Sequence, residues 1–396
     1  MIKNISFSNF YSFYEETLVS FEVSQKPSKS LYDINIENNR LNKVVSVIGA
    51  NGSGKTGLIR PFAFIGWFIS NSYIELKPDD LIPYHPHSFY KDNNTTFSIN
   101  FILAGIEYKY NLTLNKSQVL HESLYEKTSK LFSYIFIRER NSIDEEFEYK
   151  QKNFDFQVKI ANKMKDNASI ISAAFMNDSE DAKKFIDFFG KSFVFNVTLS
   201  GRENYSEQGL IDSAKYFKQN SKSLEQMIKI ICELDLGLNS VELDEVEIKT
   251  PEGQLEKIYL PIGVHGENDK QFKLPFFEES SGTKSLFVLL RRLLPVLQNG
   301  GLAIIDEIDN DLHPHMLPVI LELFKFEHTN PKNAQIIFTC HTPEVLNILK
   351  KHQVYLVEKT DLHSEAWRLD EMSGIRVDDN LYAKYYAGAL GATPNI

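Results

Sequence analysis

The feature that narrows this chain most is Gly49-Ala50-Asn51-Gly52-Ser53-Gly54-Lys55-Thr56, a match to G-x-x-x-x-G-K-[ST]. It follows the apolar run Val44 to Ile48, which reads as a buried parallel strand, and precedes Leu58 to Ile74, which reads as a buried helix. Strand, glycine-rich turn and helix in that order make a phosphate cradle. The glycines let backbone N–H groups curl around phosphate oxygens, and the helix N-terminus adds its dipole. Lys55 is placed to reach the β- and γ-phosphates and Thr56 to ligate magnesium. The alternative is a chance glycine-rich turn, and the flanking pattern speaks against it.

Three further segments carry chemistry. Leu302 to Ile305 is an apolar strand ending in Asp306-Glu307, at the edge where α/β sheets place their ligands. Asp306 would hold magnesium through water and Glu307 would polarise an attacking water; capping of the next helix is the plainer reading of the same acids. Gln335 to Cys340 is another buried strand, ending in His341, which could hydrogen-bond a γ-phosphate or serve the fold alone. Glu278-Glu279-Ser280-Ser281-Gly282-Thr283-Lys284 opens an apolar helix, Ser285 to Leu297. Serine and glycine there are either a simple N-cap or a second phosphate-binding turn. One site does not need two such turns, whereas two sites shared across a dimer do.

The remaining pattern sets the organisation. Phe97 to Leu103 and Tyr108 to Leu114 alternate and meet near Gly105, as in a hairpin, so an antiparallel subdomain is expected there. Residues 156–235 are mostly helical in period, strands return at Val241 to Ile248 and Lys257 to Ile262, and the last third alternates strand and helix. That alternation implies a parallel sheet with helical crossovers. The expected division is an N-terminal lobe over 1–155, a helical insertion over 156–235 and a C-terminal lobe over 236–396.

A formal charge of −10 argues against coating nucleic acid through overall positive potential, but leaves a local basic groove open. Nucleic-acid binding is thus neither excluded nor supported. Cys232 and Cys340 are too few for a disulfide framework or a zinc site, as suits a reducing cytoplasm. Arg60, Pro61, Ser70 and Asn71 interrupt the most apolar stretch, and Met1 to Phe10 begins as a strand without a signal pattern; no membrane association and a cytoplasmic location are expected.

In this order, the four elements resemble the ATP-binding-cassette ATPases, in their soluble SMC-like branch: Gly49 to Thr56 as phosphate loop, Ser280 to Lys284 as signature, Asp306-Glu307 as Walker B and His341 as switch histidine. Asp309-Asn310-Asp311-Leu312-His313-Pro314 stands where that family's D-loop crosses a dimer interface; His313 and His315 are too few for a metal site. More narrowly, the chain is similar to the RloA and AbiL-type ATPases of bacterial phage defence, relatives of the OLD and PARIS ATPases. That likeness is carried by Asn9 to Phe13, His121 to Leu124, Glu279 to Lys284, Phe338 to Pro343 and Tyr385 to Ile396.

The resemblance implies an α/β, ABC-type P-loop NTPase fold with a mixed sheet, an antiparallel β subdomain and a helical insertion. It implies hydrolysis of ATP with Mg2+, with Lys55, Glu307 and His341 catalytic, Thr56 and Asp306 on the metal, and Gly49, Asn51, Gly52, Ser53, Gly54, Ser280, Ser281, Gly282, Thr283 and Lys284 on nucleotide. It also implies a homodimer or higher homo-oligomer and a separately encoded effector: a nuclease, TOPRIM or RloB-like protein. The residues beyond His341 suffice for one more strand and a helix or two, too little for a nuclease domain. Two departures stand out. Tyr11 occupies a position where family members commonly carry arginine, and no Q-loop glutamine is evident between Tyr73 and Asn94. The main rival is an SMC-like repair ATPase acting on DNA ends, which calls for long heptads that 156–235 lacks. A third reading is an ATP-bound assembly platform with negligible turnover.

Overall fold

The computed structural model describes residues 1–396 except 25, 37–38, 141–146, 199–200, 204–205, 235–236, 250–252, 267–269, 311, 313–314, 377–378 and 394–396. Asp311, His313 and Pro314 of the expected D-loop, and the last residues of the chain, therefore lie outside the described residues.

A six-stranded sheet runs through the centre in the order Phe193–Phe195, Leu302–Ile305, Gln335–Thr339, Val44–Ile48, Val354–Thr360, His363–Arg368. The first five are parallel, and the last returns antiparallel as a hairpin. Every residue of Val44–Ile48 is buried because the sheet is covered on both faces. Val45, Val47, Ile304 and Ile337 enter one core, while Val44, Ile48, Ile305 and Phe338 enter the other. The first core lies between this sheet and a seven-stranded antiparallel sheet, in the order Glu148–Gln151, Ser133–Glu139, Val119–Lys127, Ile106–Leu114, Thr95–Leu103, Ile2–Ser8, Thr17–Ser20. Leu103 pairs with Ile106 across a two-residue turn with Ala104 at φ 50° and Gly105 at φ 79°, the geometry that joins right-twisted strands most tightly.

The phosphate-loop helix, Lys55–Glu75, fills that first core with Leu58, Phe62, Ile65 and Phe68. The stretch expected as a helical insertion is distributed over both cores. Ile170–Phe175 and Glu180–Ile186 pack beside Lys55–Glu75, with the Ser169 N–H donating to Ser72 Oγ at 2.9 Å. Phe193–Phe195 is an edge strand of the central sheet, too short to have an audible period in the sequence. Glu207–Gln219 and Ser221–Glu233 pack in the second core against the signature helix Ser281–Asn299, where Phe217 meets Phe287 at 5.1 Å between ring centres. A three-stranded sheet, Leu238–Lys249, Leu255–His265 and Phe272–Pro275, follows those helices. The architecture is a mixed α/β P-loop fold. Among the described residues no helix is long and apolar enough to cross a membrane.

Candidate functional site

The loop after Val44–Ile48 is shaped by crowding as much as by glycine freedom. A side chain at Gly49 would run into the Val357 carbonyl, and Gly54 combines φ 111° with Ser364 and Ser12 directly against it. Ser364 Oγ stands 2.6 Å from the Ser53 carbonyl and 2.8 Å from the Ser12 hydroxyl, so the closing hairpin buttresses the loop from behind. Lys55 begins the helix, and its ammonium donates to Gly49 O at 2.9 Å and Ala50 O at 3.1 Å. Burial pushes the Lys55 pKa below the ordinary lysine value, with the nearby carboxylates of Glu307, Asp306 and Asp309 opposing that shift. Ser53 Oγ is buried with no hydrogen-bond partner among the described residues, and Asn51 and Gly52 are exposed at the rim. A buried cation and an orphan hydroxyl at the start of a helix suit a polyphosphate.

Asp306 and Glu307 follow Leu302–Ile305 and reach the same place. Thr56 Oγ1 donates to the Asp306 carboxylate at 2.9 Å, so the two expected metal ligands already touch. Their hydroxyl and carboxylate oxygens are hard donors of the kind Mg2+ takes beside phosphate. Thr339 joins the two acids: its hydroxyl donates to Asp306 Oδ1 at 2.6 Å and accepts from the Glu307 N–H at 2.7 Å. Asn196 fastens Asp306 from the other side, its amide bonding both the carbonyl, at 3.0 Å, and the N–H, at 2.7 Å. Glu307 itself sits at φ 47°, a left-handed conformation that strains a side chain of this kind. His341 connects the pieces, with Nδ1 at 3.5 Å from Lys55 Nζ and Nε2 at 3.4 Å from Glu307 Oε1. Asp309 holds the turn behind it, accepting from the His341 N–H at 2.9 Å and the Thr342 N–H at 2.8 Å.

These residues border a cavity of about 1040 Å³ whose lining includes Asn51, Lys55, Thr56, Glu307 and His341. It also includes residues that the sequence did not flag. Arg60, one turn past Thr56 on the helix, lays its guanidinium 4.2 Å from the ring centre of Tyr11, and both line the cavity. An arginine from the helix is thus held against the ring at position 11. Lys91, Lys116 and Lys359 add cationic lining.

Ser280 to Lys284 do not line this cavity. Ser280 caps the helix Ser281–Asn299, its hydroxyl accepting from the Thr283 N–H at 3.1 Å, while Ser280 and Ser281 are exposed. Glu279 is anchored by His265 at 2.6 Å, which fixes the approach to the turn. One group of expected residues is therefore assembled around the phosphate loop, and the other, with Ser280 and Ser281 exposed, does not border that cavity.

The family model for "AAA domain, putative AbiEii toxin, Type IV TA system" matches residues 44–347, from the phosphate-loop strand to beyond His341. The "Retron Vc95 probable ATPase" of Vibrio cholerae serotype O1 biovar El Tor is 27% identical over 180 residues, 42% of this chain and 30% of that protein. Among solved structures, an SMC head bound to the C-winged helix domain of ScpA aligns over 94% of this chain and 99% of that one, at 14% identity and TM-score 0.47. The SMC head domain from Thermotoga maritima aligns over 93% and 98%, at 15% identity and TM-score 0.42.

Proposed function

The chain belongs to the AAA-domain family that carries the description "putative AbiEii toxin, Type IV TA system", and from that premise we propose an ATP-binding and ATP-hydrolysing subunit whose sites are completed by a second copy of itself. The observation that carries this reading is the division of the expected nucleotide residues. Lys55, Thr56, Glu307 and His341 line one cavity, with Asp306 hydrogen-bonded to Thr56, while Ser280 to Lys284 do not border it and Ser280 and Ser281 are exposed. A helix N-terminus that presents serine is complementary to a γ-phosphate held by another chain.

Within the site, Lys55 and the loop amides hold the phosphates, and Arg60, stacked on Tyr11, adds positive charge to the cavity lining. Thr56 and Asp306 would hold Mg2+, which when bound neutralises charge on the transferring phosphoryl group. Glu307 takes the proton of the water that attacks the γ-phosphorus, as the bond to the β-γ bridging oxygen breaks and ADP leaves. His341, between Lys55 and Glu307, registers whether the γ-phosphate is present.

The wider role we propose is that of the sensor or scaffold of an anti-phage defence system of the RloA/AbiL kind, controlling a partner effector. The toxin–antitoxin description of the family and the retron ATPase among its relatives support this setting. The test is mass by light scattering with and without ATP and magnesium, for wild type, Glu307→Gln and Ser281→Arg. Glu307→Gln should trap nucleotide in a dimer or larger species, and Ser281→Arg should lose it. Monomers under every condition would end the shared-site reading. For the wider role, phage plating on cells carrying the chain with its neighbouring genes should lose protection on Lys55→Ala; protection retained by that variant would remove ATP binding from the account.

A further inference from the structure

The segment joining the two expected halves of the site carries an arginine on the candidate general base. Phe193–Phe195 pairs with Leu302–Ile305, Asn196 clasps the Asp306 backbone, and the hairpin Val197–Thr198/Gly201–Arg202 then brings Arg202 Nη1 to 3.7 Å from Glu307 Oε2. The same segment is bound to the signature helix. Arg292 of Ser281–Asn299 donates to the Phe195 carbonyl at 2.6 Å and pairs with Glu203, the neighbour of Arg202, at 2.5 Å. Beside these contacts a cavity of about 200 Å³ is lined by Asn196, Arg202 and Glu203 of this segment, by Val288 and Arg292 of the helix, and by Ile308.

We propose that Arg202 is a positioning residue for Glu307, and that the Glu203–Arg292 pair ties its setting to the signature helix of the same chain. In a dimer with shared sites, Glu307 of one chain serves one nucleotide and its Ser281 turn serves the other. The inference rests on that reading. A link inside one chain from the signature helix to Glu307 therefore connects the two sites. In the arrangement described, both Glu307 oxygens are engaged, Oε1 with His341 and Oε2 with Arg202. A carboxylate that accepts a proton from water must be turned toward it, so an Arg202 contact that draws Oε2 to the hairpin restrains the base until phosphate on the signature turn moves the helix and the hairpin with it.

The experiment is ATP turnover against ATP concentration for wild type, Arg202→Ala, Arg202→Lys and Glu203→Gln, with Glu307→Gln mass measured in parallel. Wild type should show a Hill coefficient above 1. Arg202→Ala and Glu203→Gln should bring it to 1 and raise turnover at sub-saturating ATP by about two- to fivefold, the scale of a partly exposed ion pair. Arg202→Lys, which keeps the charge, should fall between. Glu203 is an exposed carboxylate, so its substitution tests the link with little risk to folding. A Hill coefficient of 1 in wild type, the wild-type coefficient kept in both variants, or turnover lowered over the whole range would overturn the coupling. Absence of any nucleotide-bound dimer would instead remove the shared-site reading beneath it.

Discussion

Thr339 is the residue on which the geometry of both acids turns, and Thr339→Val isolates it. Valine keeps the volume and β-branching of a fully buried strand residue, so no cavity opens. What disappears is the hydrogen bond to the Asp306 carboxylate at 2.6 Å and the acceptor for the Glu307 N–H at 2.7 Å. A bond to a charged group contributes about 1.5–3 kcal/mol and an orphaned buried N–H costs about 1–3 kcal/mol; with partial relaxation the stability loss in urea should be about 2–4 kcal/mol. The kinetic effect follows from Glu307 at φ 47°, a conformation that costs roughly 1–3 kcal/mol and needs its neighbours to hold it. If the residue relaxes by about 1.4–2.7 kcal/mol, the competent fraction, and with it kcat, drops about 10- to 100-fold. Affinity for ATP should change less than about threefold, because the Lys55 and loop contacts are untouched. Steady-state phosphate release and ATP titration separate the two effects, and Thr339→Ser should recover most of the rate. A Thr339→Val enzyme within twofold of wild-type kcat, or a serine variant as slow as valine, would refute the role assigned to this hydroxyl.

Other outcomes follow from the same coordinates. Glu122 is fully buried and accepts from Tyr110 at 2.9 Å, Ser169 at 2.7 Å and the Ile170 N–H at 2.9 Å, beside the Arg138 guanidinium. Glu122→Ala should therefore cost about 3–5 kcal/mol in urea unfolding and speed amide exchange in Ile170–Phe175; a loss under 1 kcal/mol would contradict it. Arg60→Ala should weaken ATP binding about tenfold by titration, the scale of one charge-assisted contact, while Tyr11→Phe, which keeps the ring under the guanidinium, should bind as wild type; equal affinity in all three would remove Arg60 from the site. Burial pushes the Asp33 carboxyl up, but hydrogen bonds from His352, Arg40 and the Ser30 N–H outweigh it and hold the pKa below the usual 3.8. Its contribution to stability is thus present above that value and lost as pH falls through the lowered one. Asp33→Asn should be less stable at pH 7 and show a shallower acid limb in thermal unfolding; an unchanged limb would exclude the carboxylate.

What the sequence disclosed and what it hid divide along the range of the interactions. The phosphate loop, the Leu302–Ile305 strand with its two acids, the Gln335–Thr339 strand and the hairpin around Gly105 depend on neighbours within a few residues, and each occupies its expected place. The residues that hold the site together were silent. Asn196 lies 110 positions from Asp306, and Ser364 lies 311 from Ser53 and 352 from Ser12; neither belongs to a local pattern. Arg60 read as an interruption of an apolar helix, although its position four residues after Thr56 puts both on one helical face and was a usable signal. The helical crossovers expected in the last third are short: one is the two-turn helix Met316–Glu322, and another is a 3₁₀ turn, Pro343–Asn347, after which the chain is again extended at Lys350.

The buttressing of the phosphate loop has a consequence for the order in which this molecule comes into being. Val44–Ile48 has only two sheet neighbours, Gln335–Thr339 and Val354–Thr360, and Ser364 is the hydroxyl that backs the loop. On the ribosome, the strand and its glycines emerge early and must wait through some 300 residues of synthesis before any of these partners exists. The nascent chain therefore carries the most recognisable nucleotide motif in the protein long before it can grip a nucleotide. Competence arrives in one late step, with the closing hairpin, and a chain released before Ser364 should be blind to ATP however well its first lobe has condensed.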